Sequence, residues 1–338
     1  ILHAQTAMFD INSDDQGNGL PGANLENWAA LDIPNEATTG PFSATANGIV
    51  LTLDSTTEFR GRDRGTANTS QGTDNNDNAV PVGEFADMYR DFGFLLTGET
   101  LTGSLSGLLP NTNYFVRIIS WDSGQGGTNE SLWGPTGNAS NPFSFSGDLV
   151  NNTELSIDPN TDLLIDKSIV FVIQADGSGE ATFEGTSLAG AILAFNGVVV
   201  DVDLDADGLP DSFEQTILDA SPNDTFQTIA DVLPGDDFDS DLSDNLNEFT
   251  VGTDPTDNDS DDDDLLDGIE NGSGEWTDAT MTGTNPLDPD SDDDGLGDAL
   301  ENHDLAYNSA NPTSQPGSDP NLFDTDEDGV SDGAEILE

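Results

Sequence analysis

Between Thr6 and Val200 the chain alternates apolar and polar residues in short runs. The clearest is "NYFVRIISWD" (113–122), which sets Tyr114, Val116, Ile118 and Ser120 on one face and Phe115, Arg117, Ile119 and Trp121 on the other. Successive strand residues point to opposite faces, so a period of two marks a strand. Nine further runs read the same way: "TAMFDIN" (6–12), "GIVLTLD" (48–54), "DMYRDFGFLL" (87–96), "TLTGSLSGL" (100–108), "PFSFSG" (142–147), "TELSI" (153–157), "SIVFVIQAD" (168–176), "GEATFEGT" (179–186) and "AILAFNGVVV" (191–200). Gly, Asn, Asp and Pro separate them, and no helical period intervenes. Short strands in this order predict an all-β fold, an antiparallel β-sandwich of jelly-roll type, over residues 1–200.

Beyond residue 200 the alternation stops. Only "SFEQTIL" (212–218) and "GAEIL" (333–337) suggest short helices. Of 338 residues only 34% are hydrophobic, which suits one ordinary core joined to a segment poor in core. Charge divides the chain at the same place. The first 200 residues hold all six basic residues against 25 acids, net −19, whereas residues 201–338 hold 42 acids and no Lys or Arg. Such a polyanion excludes nucleic acid as a partner, since that binding displaces counterions with basic groups. No run reaches the roughly 18 apolar residues of a membrane span. With no cysteine there are neither disulfides nor thiolate sites.

The acids keep a frame of twelve. In "DTDEDGVSDGAE" (324–335), Asp324, Asp326 and Asp328 stand two apart, Gly329 follows, and Val330, Asp332 and Glu335 hold places 7, 9 and 12. Carboxylates about 5 Å apart repel by roughly 3 kcal/mol per pair at an effective dielectric near 20. Oxygen donors at places 1, 3, 5, 7 (a backbone carbonyl), 9 and 12, with glycine at 6, are the pattern of a calcium loop. The frame occurs five times, here loops I to V.

Loop I (203–214) offers Asp203, Asp205, Asp207, Leu209, Asp211 and Glu214. Loop II (237–248) offers Asp237, Asp239, Asp241, Ser243, Asn245 and Glu248, with Leu242 in the glycine place, and is expected to be the most distorted. Loop III (259–270) offers Asp259, Asp261, Asp263, Leu265, Asp267 and Glu270, with Asp264 in the glycine place. Loop IV (290–301) offers Asp290, Asp292, Asp294, Leu296, Asp298 and Glu301, and loop V is 324–335. The turns "GTDP" (252–255), "GTNP" (283–286) and "GSDP" (317–320) keep phase, each setting its Asp or Asn five residues before the next loop's first Asp.

These D-x-D-x-D-G-L-x-D-x-x-E loops and interleaved G-T-D/N-P turns resemble thrombospondin type 3 repeats over residues 201–338. The resemblance implies a chain wound about a row of calcium ions: an elongated calcium-ladder rod of EF-hand-like loops with little regular secondary structure. Five or more ions are expected, with Asp254, Asp257, Asp288 and Asp319 holding further ions or completing neighbouring sites. The long apolar helices of a paired EF-hand are missing from the flanks. An acidic tract without an apolar core is expected to be disordered until calcium binds, which makes folding and binding one equilibrium.

In the first 200 residues, "FRGRDRG" (59–65), "MYRDF" (88–92), "LSGLLPNTNYFVRIISWD" (105–122) and "LAFNGVVV" (193–200) resemble the galactose-binding-like sandwiches of bacterial secreted proteins. That likeness implies either carbohydrate binding at loop ends or a purely architectural role. Arg60, Arg62 and Arg64 with Trp121 and Trp133 are the candidate sugar face; the competing reading pairs the arginines with nearby acids and puts the tryptophans in the core. No catalytic motif stands out, and the chain is not expected to be an enzyme.

The expectation is a secreted, extracellular or cell-surface structural protein, a subunit of a filament that self-assembles as a homopolymer. The alternative is a carbohydrate-binding or adhesion module, with polysaccharide as partner, spaced by the calcium-dependent rod. One route to a polymer is for "TAMFDIN" to leave its sheet and add to a neighbour's edge; otherwise it is an ordinary strand of its own sandwich.

Overall fold

The computed structural model describes residues 6–13, 28–33, 39–55, 57–63, 91–96, 98–120, 128–146, 168–188, 193–221, 226–308 and 316–337. Trp121, Arg64, Arg90 and the segment 153–157 lie outside them. The chain forms two units, residues 1–212 and 213–338.

The first unit is built of strands. One sheet has five, in the order β11 (Ser168–Gln174), β8 (Asn113–Ile119), β14 (Gly197–Asp203), β1 (Ala7–Ser13) and β2 (Ala29–Ile33). A second has six: β10 (Asn141–Ser146), β9 (Thr128–Pro135), β12 (Glu180–Ser187), β7 (Thr100–Ser106), β4 (Ile49–Ser55) and β3 (Phe42–Ala46). A small third sheet joins β13 (Leu193–Phe195), β6 (Asp91–Leu95) and β5 (Arg60–Asp63). All pairings are antiparallel except β1 with β2, which run parallel. This is the sandwich that the alternation predicts.

The inward rows form one core: Ile49, Leu51 and Leu53 of β4, Leu101 and Leu105 of β7, Tyr114, Val116 and Ile118 of β8, and Val198, Val200 and Val202 of β14 are buried. Phe183 on β12 packs against Phe171 on β11, with ring centroids 5.9 Å apart. Trp133 lies directly across from Gly185 in the β9–β12 register, and a Cβ there would meet the indole at 2.4 Å, so only glycine makes room. The first strand is an interior strand, paired to β14 on one side and β2 on the other, with Ala7, Phe9 and Ile11 fully buried. Within this chain it is therefore an ordinary member of its own sandwich.

The second unit has little regular structure. The helices are α1 (Asp211–Ala220), which begins in loop I, α2 (Asn245–Val251) and α3 (Asp332–Leu337), with 3₁₀ turns at Ile229–Asp231, Asp267–Ile269 and Asp298–Leu300. Its apolar contacts are few: the Phe213–Phe249 and Phe226–Phe238 ring pairs, and buried Ile217, Val232 and Leu296. The expected boundary at residue 200 falls inside β14, which runs on to Asp203, the first residue of loop I.

Candidate metal centre

All five twelve-residue frames take one backbone shape. Place 4 is left-handed in each (Ala206 61°, Ser240 70°, Asp262 61°, Asp293 59°, Glu327 59°). So is place 6 (Gly208 105°, Leu242 85°, Asp264 80°, Gly295 98°, Gly329 95°). Loop II is thus not distorted as its sequence suggested: Leu242 accepts the strained conformation that glycine takes freely.

Fixed amides hold the carboxylates. In every loop the place-7 N–H donates to the place-5 carboxylate: Leu209 to Asp207 at 3.0 Å, Ser243 to Asp241 at 2.6 Å, Leu265 to Asp263 at 2.6 Å, Leu296 to Asp294 at 2.7 Å and Val330 to Asp328 at 3.0 Å. In loops II to V the place-6 N–H donates to the place-1 carboxylate, at 3.2, 2.9, 3.0 and 2.7 Å. In loop I Asp203 accepts instead from Ala206 at 2.7 Å.

The remaining oxygens converge. Within each of Asp203–Asp205–Asp207, Asp237–Asp239–Asp241, Asp259–Asp261–Asp263 and Asp290–Asp292–Asp294, one oxygen per residue lies within 4.8 Å of the others. Oxygens bound to one ion at about 2.4 Å can be no farther apart than about 4.8 Å. Several are buried without a hydrogen-bond partner: both oxygens of Asp239 and Glu248, Oδ2 of Asp207, Asp241, Asp261 and Asp292, Oδ1 of Asp290, and Oε2 of Glu270. An unpaired buried carboxylate costs several kcal/mol. The orphaned atoms fall on places 1, 3, 5 and 12, so the residues present fit a hard, oxygen-seeking cation.

The electrostatics agree. Burial first, then neighbouring carboxylates, push Glu248 up to about 8 and Glu270 to about 9. Glu301 is pushed to about 9 by burial; the Ser318 hydroxyl facing it lowers it somewhat without forming a proper hydrogen bond. Asp261, Asp292 and Asp298 rise to about 7, and Asp211, Asp239 and Asp267 to about 6, again through burial first.

Loops II to V are also tied to one another. Ala299 N, at place 10 of loop IV, donates to Asp263 Oδ2 of loop III at 3.2 Å, and Gly333 N of loop V donates to Asp294 Oδ2 of loop IV. Gly268 of loop III sits against loop II, where a Cβ would lie 2.4 Å from Leu242 C. Place 10 is therefore Gly, Ala and Gly in loops III to V, a signal the sequence reading passed over. It also missed Asp298 grouping with Asp263 and Glu270 of the loop before it, again within 4.8 Å.

The in-phase turns have a physical reason. The amides of Asp254, Asn285 and Asp319 donate to Ser260, Ser291 and Thr325 of the following loop. Thr284 Oγ1 donates to Glu270 Oε1 at 2.9 Å, and Thr253 and Ser318 hold the matching turn position, both buried. Asp254 and Asp319 accept the amides of Thr256 and Asn321 in their own turns.

Of the candidate sugar face, only Trp133 has its side chain among the described residues. Trp133 is fully buried, its indole N–H donating to Ser131 Oγ at 2.9 Å.

No family model and no curated protein matches the chain. Among solved structures, protein YxiM from Bacillus subtilis matches with 12% identity and TM-score 0.30, over 60% of this chain and 41% of its own, so the chain spans less than half of that structure. A family 35 carbohydrate-binding module from Clostridium thermocellum matches at 10% identity, TM-score 0.22, over 32% of this chain and 76% of the module. A Bacteroides uniformis β-glucuronidase matches at 10% identity, TM-score 0.28, over 59% of this chain and 18% of its own. Likenesses this distant assign neither ligand nor activity.

Proposed function

We propose that residues 203–335 carry calcium in five loops or more sites, and that the protein is a secreted structural subunit of an extracellular filament or surface fibre. The observation behind the calcium reading is the repeated geometry: one backbone shape five times over, with buried carboxylate oxygens left unpaired at the ligand places. The donors are all oxygen, as calcium prefers, and the chain has no thiolate to select a softer metal. Each loop would supply three Asp side chains, a place-7 carbonyl and the place-12 Glu. The Asp263–Glu270–Asp298 group adds Asp298 of loop IV to two of the donors of loop III.

Extracellular modules bind calcium at about 10⁻⁴ to 10⁻³ M, a range met by calcium levels outside cells, which favours secretion over a cytosolic role. Isothermal titration of the chelated chain tests the first part: five or more ions with coupled folding supports it, and no binding at millimolar calcium refutes it. Size-exclusion chromatography in millimolar calcium tests the second. A fibre subunit forms large assemblies without added ligand, whereas a carbohydrate-binding module stays monomeric and binds immobilised polysaccharide.

A further inference from the structure

Loops III, IV and V carry a hydroxyl at place 2, and each makes the same connection. Ser260, Ser291 and Thr325 accept from the turn amide upstream at 3.0, 2.8 and 2.9 Å. Each donates to the place-9 carboxylate of its own loop at 2.6 Å. The Ser291 amide reaches the other oxygen of Asp298 at 2.9 Å, so both Asp298 oxygens are held from within loop IV. Held this way, Asp298 does not turn toward solvent. It is 1% exposed and brings an oxygen within 4.8 Å of Asp263 and Glu270 in loop III. Glu270 is itself 4% exposed, with Oε2 unpartnered.

We infer that Ser291 is a positioning residue for the cation of loop III, not mainly that of its own loop: its hydroxyl aims Asp298 at the ligands of the preceding loop. Ser260 acts on loop II through Asp267, and Thr325 on loop IV through Asp332, whose neighbours Gly268 and Gly333 lie against the backbones of those loops. Leu204 and Phe238 occupy place 2 in loops I and II and cannot serve in this way. Orientation is therefore passed backward along the chain, from each turn to the ion before it. The inference rests on the calcium reading proposed above.

The test is calcium titration of the full chain, followed by nitrogen-15 NMR at the place-6 amides of Asp264 (loop III) and Gly295 (loop IV). These donate to Asp259 and Asp290 and so report each loop separately. Ser291→Ala should raise the calcium midpoint at Asp264 by about ten-fold, the usual size of an outer-shell loss, and the midpoint at Gly295 by clearly less. Ser291→Thr, which keeps the hydroxyl, should restore it. Asp298→Asn, with the hydroxyl intact, should show the same preference for loop III, which covers the case of a misfolded alanine variant. Equal shifts in both loops, a shift in loop IV alone, or no shift overturn the inference while leaving the calcium reading standing. Absence of any calcium response in the unaltered chain overturns both.

Discussion

Glu270→Gln should change sign with calcium. The Glu270 carboxyl is 4% exposed, accepts Thr284 Oγ1 at 2.9 Å, and is pushed from 4.5 to about 9 by burial, then by Asp261, with Asp263 and Asp298 adding to it. Without a cation at pH 7 the folded loop must keep this group protonated, whereas the unfolded chain ionises it near 4.5. At 1.36 kcal/mol per pH unit, the gap between 4.5 and 7 costs the metal-free fold about 3 kcal/mol. Glutamine has no proton to hold and keeps an oxygen for Thr284. In excess chelator, where the unaltered loop loses its protection, folding of the variant should be about 3 kcal/mol more favourable, so its Leu265 and Glu270 amides should keep more protection than those of the unaltered chain. In saturating calcium the variant loses a ligand, and cation affinity at loop III should fall by more than the roughly ten- to hundred-fold cost of an outer-shell change. Hydrogen exchange in the two conditions reads both effects. A variant that is destabilised in chelator, or unchanged in calcium affinity, refutes the reasoning.

Asp264→Gly and Leu242→Gly should each raise the calcium-loaded thermal midpoint, by about 1 kcal/mol of stability, because both residues hold φ near 80° where only glycine is unstrained; Leu242 is 70% exposed, so no packing is lost. Gly333→Val should separate loop V from loop IV, since a Cβ there meets Asp294 O at 2.2 Å; a cost of about 1 to 3 kcal/mol, seen as faster exchange at Val330 and Leu296, is the expected result. In chelator, stability of residues 213–338 should fall as pH rises. Glu248 and Glu270, at about 8 and 9 when folded, bind more protons than in the unfolded chain, so their contribution is full below about 4.5 and lost by about 9. Protection factors of the loop amides across that range check the slope, and protection that rises with pH contradicts it.

The five loops were legible because the carboxylates keep a fixed spacing, and the same left-handed places recur in each; α1 and α3 fall on the segments read as helical. The strong alternation of β8, β4 and β12 placed the sandwich. Strands β2 ("AALDI") and β3 ("FSATA") were missed because small residues give a weak period, and β9 ("TNESLWGP") because its Gly and Pro read as a break. What ties the loops together could not be read locally. A serine at place 2 or a glycine at place 10 is unremarkable within one loop, and its meaning appears only when the neighbouring loop lies against it. The sequence left Trp133 two readings, a sugar platform and the favoured core position, and Gly185 opposite it settles the second.

On the calcium reading proposed above, cations would do in the second unit the work that an apolar core does in the first. Holding Glu248, Glu270 and Glu301 protonated at pH 7 would alone cost about 10 kcal/mol at 1.36 kcal/mol per pH unit, comparable with the whole stability of a domain, about 5 to 15 kcal/mol. Hydrogen exchange of the full chain before and after exhaustive chelation at pH 7 measures this directly. The Leu265, Leu296 and Val330 amides should lose their protection while Val198, Val200 and Phe183 of the sandwich keep theirs. Loop amides that stay protected without metal would contradict it.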